Sequence, residues 1–353
     1  MVDRVIAAAD ALRRGKPVFL KLPGKAGRIA YAVETLDDGT LQSLRRHHRD
    51  LHLVLTHARA KTLKIRLYTP DVVALPVTRA MPLALLRAIA DPTDDLAYPM
   101  KGPFDAVRSR VTLAHGAAVR LAKLAGLLPA ALLAAPFASR DMATLFVTDV
   151  DAYQEEVIRS LAAVSRARVP LEGAESTELI AFRPRDGGPE HYAIVIGNPL
   201  PHDPVLVRLH SECFTGDLLG SLKCDCGSQL RGAVDAIAKA GSGIILYLAQ
   251  EGRGIGLINK LRAYRLQDQG FDTITANERL GFEADERQYG LAAKMLSMLG
   301  YGKVRLLTNN PEKVRLLTQA GISVIERVPH AFPASAHNRQ YLRTKAEKAG
   351  HLL

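Results

Sequence analysis

The chain has 353 residues, 48% of them hydrophobic, enough for roughly two domains with sizeable cores. No apolar run reaches the ~18 residues needed to span a bilayer, and charges interrupt the opening MVDRVIAAADALRRGKPVFL, so neither a spanning segment nor a signal peptide is expected and a cytoplasmic location is. Trp is absent and aromatics make up 5%, which argues against stacking platforms for single-stranded nucleic acid.

The net charge is +11, unevenly placed along the chain. Residues 1 to 140 carry 22 Lys+Arg against 11 Asp+Glu, and residues 141 to 353 carry 25 of each. A basic surface attracts nucleic acid or acidic partners. No helix-turn-helix or other binding motif accompanies the charge, so nucleic acid is not the expected partner.

In chain order, Val5 to Arg14 reads as a helix, and Pro17 to Leu22 and Leu51 to Thr56 as strands. AAVRLAKLAGLL, from Ala117, places Leu121, Leu124 and Leu128 at the helical spacing of a buried face. Asp149 to Arg168 is again helical in pattern, with acidic residues early and basic residues late, as the helix dipole favours. LIAFRP and HYAIVIG form a hairpin that turns at Asp186-Gly187-Gly188. VLVRLH, GIILYLAQ, VRLLTNN and ISVIERV read as strands, and QLRGAVDAIAKAG, LINKLRAYRLQDQ and PEKVRLLTQA as helices. This alternation predicts an α/β (α+β) chain of two domains, each a mixed sheet with helices. The expected boundaries are 1–150 for the first domain, 151–170 for a connecting helix and 171–353 for the second.

Cys213, Cys224 and Cys226 are the only cysteines, an odd and clustered set that suits a metal better than disulfides. Their C-x10-C-x-C spacing lets three thiolates meet at one Zn2+ if the loop folds back. Two outcomes stay open: a catalytic site with an open fourth position, or a closed structural site with His210 as fourth ligand. Three thiolates leave the ion with a formal charge of −1, which weakens its hold on a water proton. Hydrolysis there needs cations nearby, for which Arg208, Arg253 and Arg287 are candidates.

Two loops have the makings of an anion or base site. In EGRGIG, Gly252, Gly254 and Gly256 permit close approach of backbone to ligand, though a tight turn explains them equally. Glu251 offers a carboxylate for the N–H edge of a guanine, and Arg253 a fork for phosphate. In TNNPEK, Thr308 ends a strand and Lys313 enters a helix start that favours anions.

RLHSECFTGDLLGSLKCDCGSQL, QEGRGIGLINKLRAYRLQDQG, LGFEADERQYG, RLLTNNPEKV and the terminal YLRTKAEKAGHLL together resemble GTP cyclohydrolase II, from about residue 171 to the end. The resemblance implies zinc on Cys213, Cys224 and Cys226. It implies GTP contacts from Arg208, Leu209, His210, Ser211, Glu212, Gln229, Glu251, Gly252, Arg253, Thr273, Thr308 and Lys313. Asp285 takes the place of the family's proton acceptor, Arg287 of its nucleophile toward the α-phosphate, and Tyr264 of the tyrosine of later steps. The implied reaction opens the guanine imidazole ring by attack of water at C8, activated by zinc. It yields formate, pyrophosphate and 2,5-diamino-6-(ribosylamino)-4(3H)-pyrimidinone 5'-phosphate, with Mg2+ on the GTP phosphates and a homodimer as the working state. Ala249, where many relatives carry Arg, is the clearest departure.

The first 150 residues resemble, more loosely, a 3,4-dihydroxy-2-butanone 4-phosphate synthase, through ALRRGKPVFL, AVETL and AAVRLAKLAGLLPAAL. That family's acidic loop is replaced by LPGKAGRIA, and its HTEA-like histidine and glutamate by Ala114 and Gly116. Loss of synthase activity is therefore expected. Three alternatives remain: a bifunctional riboflavin enzyme, a zinc-containing nucleic-acid module, and a cyclohydrolase halting at the formylated pyrimidine, which an intact Tyr264 opposes.

Overall fold

A computed structural model describes residues 1–48, 50–108, 111–137 and 142–333, with 343, 346, 347, 350 and 352 near the C-terminus. Most of the terminal YLRTKAEKAGHLL lies outside the described residues. The chain runs α1 (Val2–Arg13), β1 (Val18–Leu22), β2 (Lys25–Ala32), α2 (Asp38–His47), β3 (Leu51–Thr56), α3 (His57–Thr62), β4 (Val72–Pro76), α4 (Leu83–Ala90), α5 (Leu113–Leu124), β5 (Ala130–Ala134), β6 (Ala143–Phe146) and α6 (Val147–Arg159). It continues with β7 (Ala162–Arg168), β8 (Thr177–Arg183), β9 (His191–Ile196), β10 (Val205–Ser211), α7 (Cys226–Lys239), β11 (Gly243–Leu248), α8 (Gly256–Asp268), α9 (Thr273–Arg279), α10 (Tyr289–Met298), β12 (Lys303–Leu307), α11 (Pro311–Gln319) and β13 (Ser323–Val328). The helical pattern over Asp149 to Arg168 is thus helix only as far as Arg159; Ala162–Arg168 is a strand.

Two compact units result, one from Met1–Gln154 with Ile258–Glu286, the other from Glu155–Leu257 with Arg287–Leu353. The first holds a six-stranded sheet in the order β4-β3-β5-β2-β1-β6, antiparallel except for the β1–β6 pair. Side chains alternate across it, so Val54 and Leu133 enter one core with Leu12 and Leu121, while Leu53 and Leu132 enter another with Leu86 and Ile89. In α5, Ala114, Ala117, Ala118, Leu121 and Ala122 are buried, and these small side chains let the helix sit close to the sheet. Of the expected leucines, Leu121 and Leu128 are buried and Leu124 is partly buried against the same core as Leu121, but Leu128 lies beyond the helix end.

Residues 258–286 join this unit through partners far away in sequence. Arg262 pairs with Glu34 at 2.8 Å, Arg265 with Asp94 at 2.5 Å, Arg279 with Asp95 at 3.4 Å, and Lys123 with Glu286 at 2.5 Å. The second-domain span read from the sequence, 171–353, is therefore interrupted in space. Counted by compact unit, the charge is also nearly even: 26 Lys+Arg with 20 Asp+Glu in the first, 21 with 16 in the second.

A histidine chain caps α5. Thr112 donates its backbone N–H to His115 Nδ1 at 3.1 Å, which leaves the imidazole proton on Nε2. That N–H donates to His52 Nδ1 at 3.3 Å, and His52 Nε2 meets Asp50 Oδ1 at 3.2 Å. Arg28 grips the same carboxylate at 2.6 Å. Burial, reinforced by His52 and Arg28, pushes the His115 pKa down to about 4. The unfolded chain then takes up the proton first, so this contribution to stability is full above about pH 6.5 and is lost as pH falls toward 4, roughly 3 kcal/mol in all. His115→Gln is expected to flatten the fall in denaturation midpoint between pH 7 and 5. Equal slopes for the two proteins would remove His115 from the account.

The second unit's sheet runs β13-β12-β10-β11-β9-β8-β7. β13, β12, β10 and β11 are parallel, and β9, β8 and β7 continue antiparallel, with the predicted β8–β9 hairpin in place. β10 lies between β11 and β12, so the chain leaves it toward both sides. Such a switch point gathers the loops at the strands' carboxyl ends into a crevice, the usual place for a ligand in α/β sheets. Among the described residues, no helix is long and apolar enough to cross a membrane.

Candidate active site

Three loops meet this description: those after β10, β11 and β12. β10 is buried along its length, so the polar side chains it carries need internal partners. Arg208 donates from Nη1 to the Leu307 carbonyl at 2.9 Å and from Nη2 to Gln229 Oε1; the Gln229 amide donates in turn to Asp225. Burial pushes the Arg208 guanidinium down to about 10, against the fields of Asp225 and Cys226. Ser211 ends the strand, and Glu212 continues its pairing with a backbone bond to Leu248 at 2.8 Å.

The next residue, Cys213, begins a turn that doubles back through Phe214–Leu218, and Cys226 opens α7. The three sulfurs lie within 4.8 Å of one another, with Cys213 and Cys224 3.8 Å apart. A tetrahedral ion bound at about 2.3 Å to each sulfur holds neighbouring sulfurs about 3.8 Å apart, so the donor set fits Zn2+. The thiols also raise one another: hydrogen bonding from Cys213 pushes the pKa values of Cys224 and Cys226 up. A dication is what reconciles three thiolates at this spacing. Among the described residues, this is the one group of three or more His, Cys, Asp or Glu side chains with ligand atoms so close. His210 does not join it, since its Nε2 faces both oxygens of Asp217, at 3.1 and 3.0 Å.

Gly216 makes the fold-back possible. A Cβ there would stand 2.7 Å from Cys224 Sγ, 2.9 Å from Cys226 Cβ and 3.0 Å from Cys213 Sγ. Gly216→Ala is expected to push the sulfurs apart and weaken metal binding at least roughly tenfold. Equilibrium dialysis against Zn2+ measures it, with Gly302→Ala, which meets open space, as the control. Undiminished binding in Gly216→Ala would contradict the packing argument.

The turn after β11 holds Gly252 and Arg253 both in the left-handed region, at φ 64° and 63°. For Arg253 this costs about 1–2 kcal/mol, a strain that tends to persist where the surroundings require the geometry. Glu251 ties the turn to the cysteine loop: Oε2 accepts from Phe214 N at 2.6 Å and Oε1 from Gly252 N at 2.9 Å. Gln250 and Gln288 exchange two hydrogen bonds at 3.2 Å, which fixes the segment after Arg287. Arg287 Nη1 reaches Ser211 Oγ at 3.5 Å. The Ala249 N–H donates to His191 Nδ1 at 3.0 Å.

After β12, Thr308 Oγ1 accepts from Asn310 N, and Asn310 caps α11 through Glu312 N, both at 3.0 Å. Lys313 is buried rather than solvated, and its Nζ donates to the Leu209 carbonyl at 3.0 Å. The structure therefore brings Arg208, Leu209, His210, Ser211, Glu212, the three cysteines, Gln229, Glu251, Gly252, Arg253, Arg287, Thr308 and Lys313 into one unit. Tyr264, Thr273 and Asp285 belong to the other. Tyr264 is half-buried with Lys260 Nζ 5.6 Å from its ring centroid. Thr273 opens α9 and accepts from Gln267 at 3.2 Å; Asp285 is exposed in the loop after α9. Sequence reasoning missed Gly216, Asp217 and His330, whose Nε2 lies 2.8 Å from the Gln229 carbonyl. Only the TGD stretch beside Cys213 offered a hint.

With this geometry in view, comparison with known proteins is decisive. The family model for GTP cyclohydrolase II matches residues 162–329. A GTP cyclohydrolase-2 of Azospirillum brasilense is 51% identical over 362 residues, covering 99% of this chain and 93% of that protein. The chain belongs to the GTP cyclohydrolase II family. It is an enzyme of that family, a hydrolase of cyclic amidine C–N bonds. A GTP cyclohydrolase-2 of Escherichia coli O45:K1 is 54% identical over 190 residues, 54% of this chain and 96% of that one. The extra length of this family member is thus shared with the Azospirillum protein. A solved two-domain 3,4-dihydroxy-2-butanone 4-phosphate synthase from A. baumannii aligns with 93% of the chain and all of its own, at 17% identity and a TM-score of 0.32, too low to carry an argument.

Proposed function

We propose that the site at the carboxyl ends of β10, β11 and β12 opens the imidazole ring of GTP as the first step of riboflavin synthesis. The products are formate, pyrophosphate and 2,5-diamino-6-(ribosylamino)-4(3H)-pyrimidinone 5'-phosphate. The observation that carries this reading is the triangle of sulfurs, all within 4.8 Å of one another and with one edge at 3.8 Å, in the same unit as Arg208, Arg287 and Lys313. Cys213, Cys224 and Cys226 would hold Zn2+, which when bound supplies Lewis-acid activation of water at neutral pH.

The chain's own groups do the rest. Lys313 and the start of α11 hold negative charge, and Mg2+ accompanies the triphosphate. Arg208 supplies a buried cation whose fork is oriented by Leu307 and Gln229. The Glu251–Arg253 turn accepts guanine N–H groups at Glu251 and grips phosphate with Arg253. Leu209, His210, Ser211, Glu212, Gln229 and Thr308 complete the contacts within this unit; for Thr273 as a further GTP contact, Asp285 as proton acceptor and Tyr264 in the later steps, the support is the family resemblance alone. Arg287 is protonated at any ordinary pH, so it stabilises developing phosphoryl charge rather than attacking phosphorus.

The first 150 residues serve as a non-catalytic scaffold in a cytoplasmic homodimer. Gly24 and Lys25 stand at the β1–β2 turn where the synthase family's acidic loop belongs, and Ala114, in the first turn of α5, is fully buried. The test is to incubate the protein with GTP, Mg2+ and Zn2+ and quantify products. One formate and one pyrophosphate per GTP are expected. Pyrophosphate without formate would overturn the ring opening, and butanone phosphate formed from ribulose 5-phosphate would restore the bifunctional reading.

A further inference from the structure

Asp217 is buried at the turn of the cysteine loop and receives donors from three separate elements. His210 on β10 lies 3.0 Å from Oδ2 and 3.1 Å from Oδ1. The Cys213 backbone N–H and the Tyr247 hydroxyl on β11 each reach Oδ2 at 3.0 Å. The Tyr247 and His210 rings stack with centroids 5.5 Å apart and planes 19° from parallel. Burial, with Asp217 beside it, raises the Tyr247 phenol, so it remains an O–H donor.

Asp217 Oδ2 already accepts the Cys213 N–H and the Tyr247 O–H, which orients it as an acceptor toward His210 as well and places the ring proton on Nε2. The other nitrogen, Nδ1, is buried with no partner among the described residues. Burial, together with Arg208 and Lys313, opposes a second proton on this ring despite the help of Asp217. His210 is then a neutral imidazole with a bare lone pair on Nδ1. It is an acceptor for an N–H or O–H, and the substrate offers both in its base and ribose.

We propose that Asp217 is a positioning residue for the reaction: it fixes His210 as the Nε2–H tautomer, presenting Nδ1 as acceptor, and locks that ring to the loop carrying Cys213. The role rests on the proposed function, in which His210 touches the substrate, but its physical basis can be read without turnover. Asparagine in place of Asp217 keeps the shape but turns one oxygen into an N–H donor. Facing that donor, His210 is driven toward the Nδ1–H tautomer, and the acceptor is lost.

The experiment is imidazole 15N NMR on the zinc-loaded protein, with His210 assigned by its disappearance in His210→Gln. The wild type should show Nε2–H at His210. Asp217→Asn should show Nδ1–H or an exchanging mixture, bind zinc as the wild type does, and lose at least tenfold in kcat on GTP. Tyr247→Phe, which leaves the Asp217–His210 pair intact, should keep Nε2–H. Asp217→Asn with an unchanged tautomer overturns the proposal, and so does a loss of zinc that accounts for all the loss of rate. If Asp217→Asn does not fold, the wild-type spectrum decides, and Nδ1–H or a doubly protonated ring at His210 refutes the assignment. A wild type that shows the expected tautomer yet releases no formate would sink the ring-opening function and leave the Asp217–His210 geometry standing.

Discussion

Replacing Cys224 by serine abolishes zinc binding and formate release together, with turnover falling by roughly a thousandfold or more. The sulfur sits at one corner of a triangle whose edge to Cys213 is 3.8 Å, and Gly216 packs against it with no room to spare. A serine oxygen is a harder and shorter donor that stays protonated at neutral pH, so two thiolates remain to hold the ion. Because the substitution lies in a loop and not in either core, the far-ultraviolet circular dichroism should be unchanged. Zinc per chain by atomic emission, beside formate release, gives the answer. Full activity without metal would end the catalytic reading of the cysteines.

Arg287→Lys keeps the charge and is expected to lower kcat about a hundredfold, with a smaller change in KM. Arg287 sits just before Gln288, which two hydrogen bonds with Gln250 fix in place, and its guanidinium reaches Ser211 and lies 5.5 Å from the Tyr289 ring centroid. A planar fork held this way can meet two phosphoryl oxygens, whereas an ammonium offers a single point of charge. Steady-state rates at saturating GTP and Mg2+ measure the effect. Near-normal kcat would show that the fork is dispensable and that charge alone suffices.

Where local pattern decides structure, the sequence was informative. LHLVLT is a strand because alternate side chains feed two cores on the two faces of its sheet. The Asp186-Gly187-Gly188 turn closes the β8–β9 hairpin, and Asn310-Pro311 opens α11, each through local hydrogen bonding or backbone preference. The cysteine spacing pointed to sulfurs that converge, and the three do lie within 4.8 Å of one another.

Features set by distant partners stayed hidden. Nothing local in LINKLRAYRLQDQ shows that Arg262 and Arg265 meet Glu34 and Asp94 more than 170 residues earlier. The same holds for Asp217, whose three donors come from β10, β11 and the loop itself. The burial of Lys313, which the sequence places only at a helix start, was not legible either, since its acceptor is the Leu209 carbonyl 104 residues earlier. The concentration of positive charge in the first half eases when counted by unit: residues 141–154 bring three Asp and no Lys or Arg, and 258–286 bring six acidic against four basic residues, so the first unit's net charge falls from +11 to +6.

The central claim concerns how the zinc is held, and X-ray absorption at the zinc edge of the loaded protein tests it most directly. Three sulfurs at about 2.3 Å and one light oxygen or nitrogen donor that alters when GTP is added are predicted. A shell of three sulfurs plus a histidine, unchanged by GTP, would contradict the account.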